Sequence, residues 1–271
     1  MVINKDTQLC ISIAKHPSNF GTTLHNMAYT ALNLNFIYKA LAISDLQGAI
    51  AGVRALGFRG CSVSMPFKQA VIPFLNDLDE TAQSTGAVNT IVNDGGHLIG
   101  YNTDLIGARI VLTSLQLQPD DNVLILGAGG VACAILVALR QLGYTRVAVA
   151  NRDLDKVSAL NAIMPCSAIA WSVREQQPVQ LLINATSVGM TPAVELMPVD
   201  ANFIQGLRAV MDVVVSPMES RLIACARAAG KIVAPGYQMS LEQTAAQFFL
   251  YTGHEAPRAV MEDGIRSLLA A

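Results

Sequence analysis

Between Asn122 and Leu139 the chain reads NVLILGAGGVACAILVAL: a short apolar run, a cluster of glycines, then a second apolar run. Gly127, Gly129 and Ala132 fall on the positions of G-x-G-x-x-G/A, directly after a strand-like stretch and directly before a helix-like one. Each small residue answers a different demand. The first lets the chain turn tightly, the second lets a pyrophosphate approach the backbone, and the third lets helix and strand pack closely. The free N–H groups at the helix start then face the phosphates. A bare strand–helix corner would look the same, so the second strand matters: RVAVAN ends at Asn151, where a dinucleotide fold places the residue that reads the adenosine ribose.

That strand runs into Asn151-Arg152 rather than into an acid. An acid there bonds the ribose 2′-OH of NAD and repels a 2′-phosphate, whereas a guanidinium clamps the phosphate through paired donors. Arg152, with Lys156 four residues on, points to NADP. Asp153 keeps NAD open, since it either caps the helix DLDKVSAL or reaches the ribose.

The framework that must hold these residues is legible in outline. The chain has 271 residues, 52% hydrophobic and 14% charged, with a net charge of -2, enough for one large or two ordinary domains. With no block of like charges, nothing favours a nucleic acid or a membrane surface, and a small-molecule substrate is the expected partner. The longest apolar run, VACAILVAL, is far short of the roughly 18 residues of a membrane span. The start of the chain lacks the basic and apolar segments of a secretory signal, so a cytoplasmic monomer or homodimer is expected. Cys10, Cys61, Cys133, Cys166 and Cys225 form no CxxC pair and sit among apolar neighbours, so they read as small buried side chains. The four histidines show no ligand spacing, and no bound metal is expected.

Strand-like and helix-like segments alternate along the whole chain, which indicates an α/β fold. In the first hundred residues they are QLCISIA, TTLHNMAYTALNL, FIYKALAI, LQGAIAGVRALG, GCSVSM and FKQAVIPFLN, followed by a hairpin turning at Asn93-Asp94-Gly95-Gly96. A helix, DLIGARIVLTSL, opens with Asp104. The polar LQPDDN loop then leads to a second series: NVLILG, VACAILVALRQLG, RVAVAN, DLDKVSALNAI, QLLINAT, AVMDVVV, SRLIACARAAG and KIVAP. Two helical segments, SLEQTAAQFFLYTG and APRAVMEDGIRSLLAA, end the chain.

The ordered set SVSMPFK (62–68), GAVNT (86–90), GYNTD (100–104), GAGGVA (127–132), NR (151–152), INATSVGM (183–190) and GYQMSLEQTA (236–245) resembles the shikimate dehydrogenase family from about residue 8 to 253. The resemblance implies two α/β domains: a substrate-binding and catalytic domain over 1–103, and an NADP-binding Rossmann domain with a parallel sheet over 104–239, with the helices of about 240–271 packing back on the first. It places the catalytic lysine and aspartate at Lys68 and Asp104. Substrate contacts fall on Ser64, where the family usually has threonine, on Asn89 and on Gln243. Cofactor contacts fall on Gly127, Ala128, Gly129, Gly130 and Val131, on Asn151, Arg152, Asp153 and Lys156, on Thr186, Ser187, Val188 and Gly189, and on Gly236.

The implied chemistry is sound for these residue types. Oxidising a secondary alcohol needs a base for the hydroxyl proton while hydride leaves the same carbon. Lys68 serves if its ammonium sits at the carbinol oxygen, and Asp104 orients it and accepts a substrate hydroxyl bond. Each residue also has a plainer reading: a solvated lysine at a helix start, an N-cap for DLIGARI, a hairpin-edge asparagine, and a surface glutamine at 243.

The chain departs from the family in one place that touches the substrate. The Ser-x-Ser pair that holds the substrate carboxylate in the family is replaced, without gaps, by Asn19 and Gly21, which leaves Asn19 as the expected substrate contact there. Ser18, Thr22 and Thr23 are the hydroxyls nearest in sequence, and a family tyrosine aligns with Val215. At roughly 1.5–3 kcal/mol for each bond to a charged group, losing two weakens binding about a hundred- to ten-thousand-fold. The expected activity is therefore NADP-dependent interconversion of a ring alcohol and ketone, on shikimate/3-dehydroshikimate slowly or on a related hydroxylated cyclic acid. The alternative is a catalytically inactive NADP-binding sensor or scaffold on the same fold.

Overall fold

A computed structural model describes residues 3–270. They form two compact units, one of residues up to Ile106 together with Gln243 onward, the other Gly107–Glu242.

The first unit begins with β1 (Gln8–Ala14), α1 (Phe20–Ala31), β2 (Phe36–Ala42), α2 (Leu46–Ala55) and β3 (Gly60–Val63). β2 and β3 lie parallel on either side of β1, with Gln8 opposite Phe36 and Cys10 opposite Gly60. β4 (Asp77–Leu78), α3 (Glu80–Thr85), β5 (Thr90–Asp94) and β6 (His97–Tyr101) complete a mixed sheet of order β2-β1-β3-β5-β6-β4, in which β5 runs antiparallel to β3 and β6. The β5–β6 hairpin turns through Gly95 and Gly96, both at positive φ. Ile13, Ile50, Val53, Val63, Ile91 and Leu98 form the core over one face.

α4 (Thr103–Ser114) carries the chain into the second unit, whose six strands are all parallel. In order they are β7 (Val123–Leu126), α5 (Gly130–Gln141), β8 (Val147–Asn151), α6 (Leu154–Leu160), β9 (Ser167–Ala170), β10 (Leu181–Asn184), α7 (Ala201–Gln205), β11 (Ala209–Asp212), α8 (Arg221–Ala228) and β12 (Ile232–Ala234). The sheet order β12-β11-β10-β7-β8-β9 is that of a dinucleotide-binding Rossmann sheet. Strands β7, β10 and β11 are buried along their whole length, as a parallel sheet covered on both faces requires. α9 (Gly236–Thr252) returns the chain to the first unit, and α10 (Arg258–Ala270) packs on α1.

Several local expectations are corrected. FKQAVIPFLN forms turns and one 3-10 turn, Ile72–Phe74, because Pro73 has no N–H to give and crowds the preceding turn. AVMDVVV stops being strand at Asp212, whose own carboxylate accepts from Val214 N at 3.0 Å and bends the chain. The edge strand β9 gives almost no sequence signal, being short and mostly exposed. Cys10 and Cys61 are buried, while Cys133, Cys166 and Cys225 are only half-buried on helix and strand flanks. Among the described residues no helix is long and apolar enough to cross a membrane.

Candidate functional site

Lys68 sits on the turn that follows β3. The Lys68 carbonyl accepts from Val88 N at 2.8 Å, which ties this turn to the GAVNT stretch. Asp104 lies in the first turn of α4, and the helix cap is Asn102, whose Oδ1 accepts from Leu105 N at 3.3 Å. The capping role that Asp104 could have filled is therefore taken, and its carboxylate turns to Lys68. Nζ and Oδ2 lie 2.5 Å apart, with side chains 26% and 13% exposed. This half-buried pair is less screened than a surface ion pair.

Asn89 is buried and bonded at both ends of its amide. Its Oδ1 accepts from Thr103 N at 2.8 Å and from Thr90 Oγ1 at 2.8 Å, while its Nδ2 donates to Gln243 Oε1 at 3.2 Å. Thr103 precedes Asp104, so this network fixes the start of α4 and hence the carboxylate. Gln247, also buried, donates from Nε2 to Thr90 Oγ1 at 2.9 Å and to Ser62 Oγ at 3.3 Å. Ser64 and Gln243 line a cavity of about 180 Å³ in the same unit, with Ser18, Gly21 and Gln247. Asn19 is not among its lining residues; it stands exposed at the start of α1 without a capping bond. Thr22 Oγ1 accepts from Ala40 N at 3.2 Å, so of the nearby hydroxyls only Ser18 reaches this cavity. Val215 lies in the second unit, in the loop after β11.

In that second unit the glycine turn follows β7. Gly127 has φ +98, and a Cβ there would lie 2.9 Å from the Ala185 carbonyl oxygen, so no other residue fits unstrained. Gly129 is the N-cap residue of α5 and Gly130 its first residue; a Cβ on either meets nothing within 4 Å. Ala128 and Val131 are half-buried and Ala132 is fully buried. The outcome is a helix N-terminus with bare, open backbone in front of it, which fits a dinucleotide pyrophosphate.

After β8, Asp153 caps α6 by accepting from Asp155 N at 3.1 Å, and Asn151 Nδ2 donates to the Asp153 carbonyl at 2.8 Å. Lys156 Nζ stands 3.9 Å from Asp153. Arg152 is exposed and enters no ion pair among the described residues. After β10, Thr186 Oγ1 donates to Asn184 Oδ1 at 2.6 Å and accepts from Val188 N at 3.1 Å, shaping a loop through exposed Ser187 to Gly189 at φ +88. Gly236 opens α9, where any side chain would collide with the Val214 carbonyl.

Beneath this loop lies a group that motif reading passes over. Asp212 is buried and accepts from Asn184 Nδ2 at 2.9 Å, Val214 N at 3.0 Å and Ser220 Oγ at 2.5 Å. Burial still pushes its carboxyl above the ordinary carboxylate range, against those donors. Polar residues at the ends of the apolar runs LLIN and VMD were the signal for it. Thr90, Thr103 and Gln247 likewise lie inside or beside the quoted motifs without having been singled out. A recess of about 570 Å³ also opens in this unit, at the starts of β7, β8 and β9, opposite the strand ends where parallel sheets bind ligands.

Residues 19–91 match the shikimate dehydrogenase substrate binding domain, 109–187 the shikimate/quinate 5-dehydrogenase family, and 236–264 the shikimate 5′-dehydrogenase C-terminal domain. The chain is 42% identical over 258 residues to a shikimate dehydrogenase-like protein of Haemophilus influenzae, covering 94% of each. It is 37% identical over 276 residues to the shikimate dehydrogenase (NADP(+)) of Moorella thermoacetica, covering 96% of this chain and 94% of that one. A solved structure of a shikimate dehydrogenase in complex with NADP+ superposes with a TM-score of 0.90 at 32% identity, covering 99% of this chain and 98% of the other. With these domains in order and full-length relatives well above 30% identity, the chain belongs to the shikimate dehydrogenase family.

Proposed function

We propose that the protein is an NADP-dependent dehydrogenase that interconverts a ring secondary alcohol and its ketone, with shikimate a slow substrate and a related hydroxylated cyclic acid the better one. The observation that carries this reading is the Lys68–Asp104 pair, closed at 2.5 Å and anchored through Thr103 to a buried Asn89. A protein that had given up catalysis has no physical need of a half-buried ion pair held by a second hydrogen-bonded layer, so these contacts favour an enzyme over a sensor.

Bound NADP supplies the hydride acceptor, and its reduced form the hydride donor. The chain supplies the proton chemistry. Lys68 holds the carbinol oxygen and passes its proton, Asp104 fixes the ammonium and accepts from a neighbouring ring hydroxyl, and Ser64 and Gln243 hold the remaining hydroxyls. On the cofactor side, Gly127 to Val131 present the α5 N-terminus to the pyrophosphate, and Arg152 and Lys156 take the 2′-phosphate. Thr186 to Gly189 and Gly236 offer backbone to the rest of the dinucleotide. Asp153, occupied as a helix cap, is a poor ribose reader, which supports NADP over NAD.

The test is a screen of shikimate, quinate and related cyclic hydroxy acids with NADP and NAD in parallel. We expect NADP reduction with at least one acid, weak with shikimate. Binding of NADP with no turnover on the whole panel would sink the enzyme reading, and a preference for NAD would sink the role given to Arg152.

A further inference from the structure

The sheet of the second unit starts at β7, winds outward through β8 and β9, then returns to lay β10 on the other side of β7. Ligands of such a sheet sit outside the C-terminal strand ends at that reversal. The cofactor reading above puts the pyrophosphate at the start of α5 and the 2′-phosphate at the end of β8, so the nicotinamide half falls over the ends of β10 and β11. The segments that leave those two strands are fastened to one buried side chain, Asp212.

Asp212 Oδ1 accepts from Asn184 Nδ2 at 2.9 Å, behind the 186–189 loop, and from Val214 N at 3.0 Å, in the loop after β11. Its Oδ2 accepts from Ser220 Oγ at 2.5 Å, and that serine caps α8. The two loops meet again where Thr191 N donates to the Ser216 carbonyl at 2.9 Å. The Val214 carbonyl in turn lies against bare Gly236, the first residue of α9.

An amide can sit either way round, and Asp212 decides which way Asn184 sits. Oδ1 already accepts from the Val214 N–H and has no proton to give, so the Asn184 amide must turn its Nδ2 towards it. Nδ2 also donates to the Val188 carbonyl at 3.2 Å, while Asn184 Oδ1 accepts from Thr186 N at 3.2 Å and from Thr186 Oγ1 at 2.6 Å. Thr186 Oγ1 then accepts from Val188 N at 3.1 Å. Both hydrogens and both lone pairs of the Asn184 amide are thus used, and together they give the loop its shape.

We infer that Asp212 is a positioning residue for the cofactor: by fixing the Asn184 amide it sets the backbone of the 186–189 loop, and through Val214 the bed of Gly236, and it thereby favours the nicotinamide half of the dinucleotide without touching it. The inference rests on the cofactor reading above. Asp212→Leu keeps the forked shape, removes both acceptor oxygens and frees Asn184 to turn. Asp212→Asn keeps a carbonyl oxygen for Asn184 and Val214 and turns its NH2 to Ser220, whose hydroxyl oxygen can accept it.

The test is calorimetric binding, to the full chain, of NADP beside 2′-phospho-ADP, the same molecule without the nicotinamide and its ribose. In Asp212→Leu the NADP affinity should fall by about ten-fold or more while that of 2′-phospho-ADP stays within about two-fold, and Asp212→Asn should hold NADP within about three-fold of the wild type. A merely structural role would weaken both ligands alike. The inference is overturned if the leucine variant weakens both alike or neither, or if the asparagine variant loses as much NADP affinity as the leucine variant. Should the leucine variant not fold, hydrogen exchange in the wild type decides. NADP should slow the Val188 and Val214 amides together and 2′-phospho-ADP should slow neither; any other pattern overturns the inference. If the wild type binds neither ligand, the cofactor reading falls and takes the inference with it; if it binds both and the variants do not separate them, the inference falls alone.

Discussion

At Gly127 the chain needs no side chain, and at Asn89 it needs both ends of an amide. The glycine turn is made by backbone: a positive φ, a close carbonyl, and open N–H groups at the start of α5. The Lys68–Asp104 site is made by side chains drawn from four stretches, SVSMPFK, GAVNT, GYNTD and the α9 segment, and joined by hydrogen bonds through Asn89 and Gln247. Damage therefore shows differently. A change in the backbone-made site acts through strain or blocked approach, whereas a change in the side-chain-made site leaves a buried partner unsatisfied.

The largest effect belongs to the second kind. Lys68→Ala removes the proton-transfer group and should lower kcat by about a hundred- to ten-thousand-fold. NADP affinity, followed by fluorescence titration, should stay within about two-fold, because the cofactor residues lie in the other unit. If affinity falls as far as kcat, the separation of the two sites is broken.

Two buried titratable groups sharpen the comparison because their signs are opposite. His25 in the first unit is stacked on Tyr38 at 4.4 Å, and neither ring nitrogen has a hydrogen-bond partner at good geometry. Burial lowers its pKa from 6.5 to about 4, against a small opposing contribution from the Gln247 amide. The unfolded chain binds this proton more tightly, so the stability is whole above pH 6.5 and is lost as pH falls towards 4, an acid cost of about 3 kcal/mol. His25→Phe keeps the stacking and should reduce that loss, read as the change in urea midpoint between pH 7 and pH 4.5.

Asp212 in the second unit runs the other way. Its folded carboxyl is held above the ordinary value of 3.8 by burial, so the folded chain binds the proton more tightly, and stability declines as pH rises through that folded pKa. Asp212→Asn should flatten this decline, and a steeper one would mean that the donors from Asn184, Val214 and Ser220 outweigh burial.

The same contrast explains what could be read from sequence. The fingerprint Gly127 to Ala132 is contiguous, and each residue type follows from a backbone demand, so the turn, the helix and the parallel sheet were all legible. Lys68, Asn89, Asp104 and Gln243 were reached only because a family pattern tied them together; spacing alone left each with a plainer explanation. Nothing local marks Gln247 as buried, since that depends on which strands become neighbours, whereas the Asn102 cap is a bond three residues long, and Asp104 two positions on offered an equally good capping side chain. Missing local signal also accounts for β9, while at FKQAVIPFLN an apolar period outweighed the effect of Pro73 in the reading.

Within the backbone-made site, two glycines two positions apart should respond in different observables. Gly127→Ala places a Cβ against the Ala185 carbonyl at a positive φ, and should cost about 1–3 kcal/mol of stability, measured by denaturant unfolding. Cofactor binding would fall as a consequence.

Gly129→Ala is the smallest change and the most discriminating. Its φ of -92 and ψ of -174 suit any residue, and the new methyl meets no atom within 4 Å, so stability should move by less than about 0.5 kcal/mol. The methyl nevertheless occupies the space through which a pyrophosphate reaches the α5 N–H groups, so NADP affinity should weaken by about ten-fold. Unchanged affinity in a stable Gly129→Ala protein would show that the open backbone is a corner only, and that the phosphates are held elsewhere in the second unit.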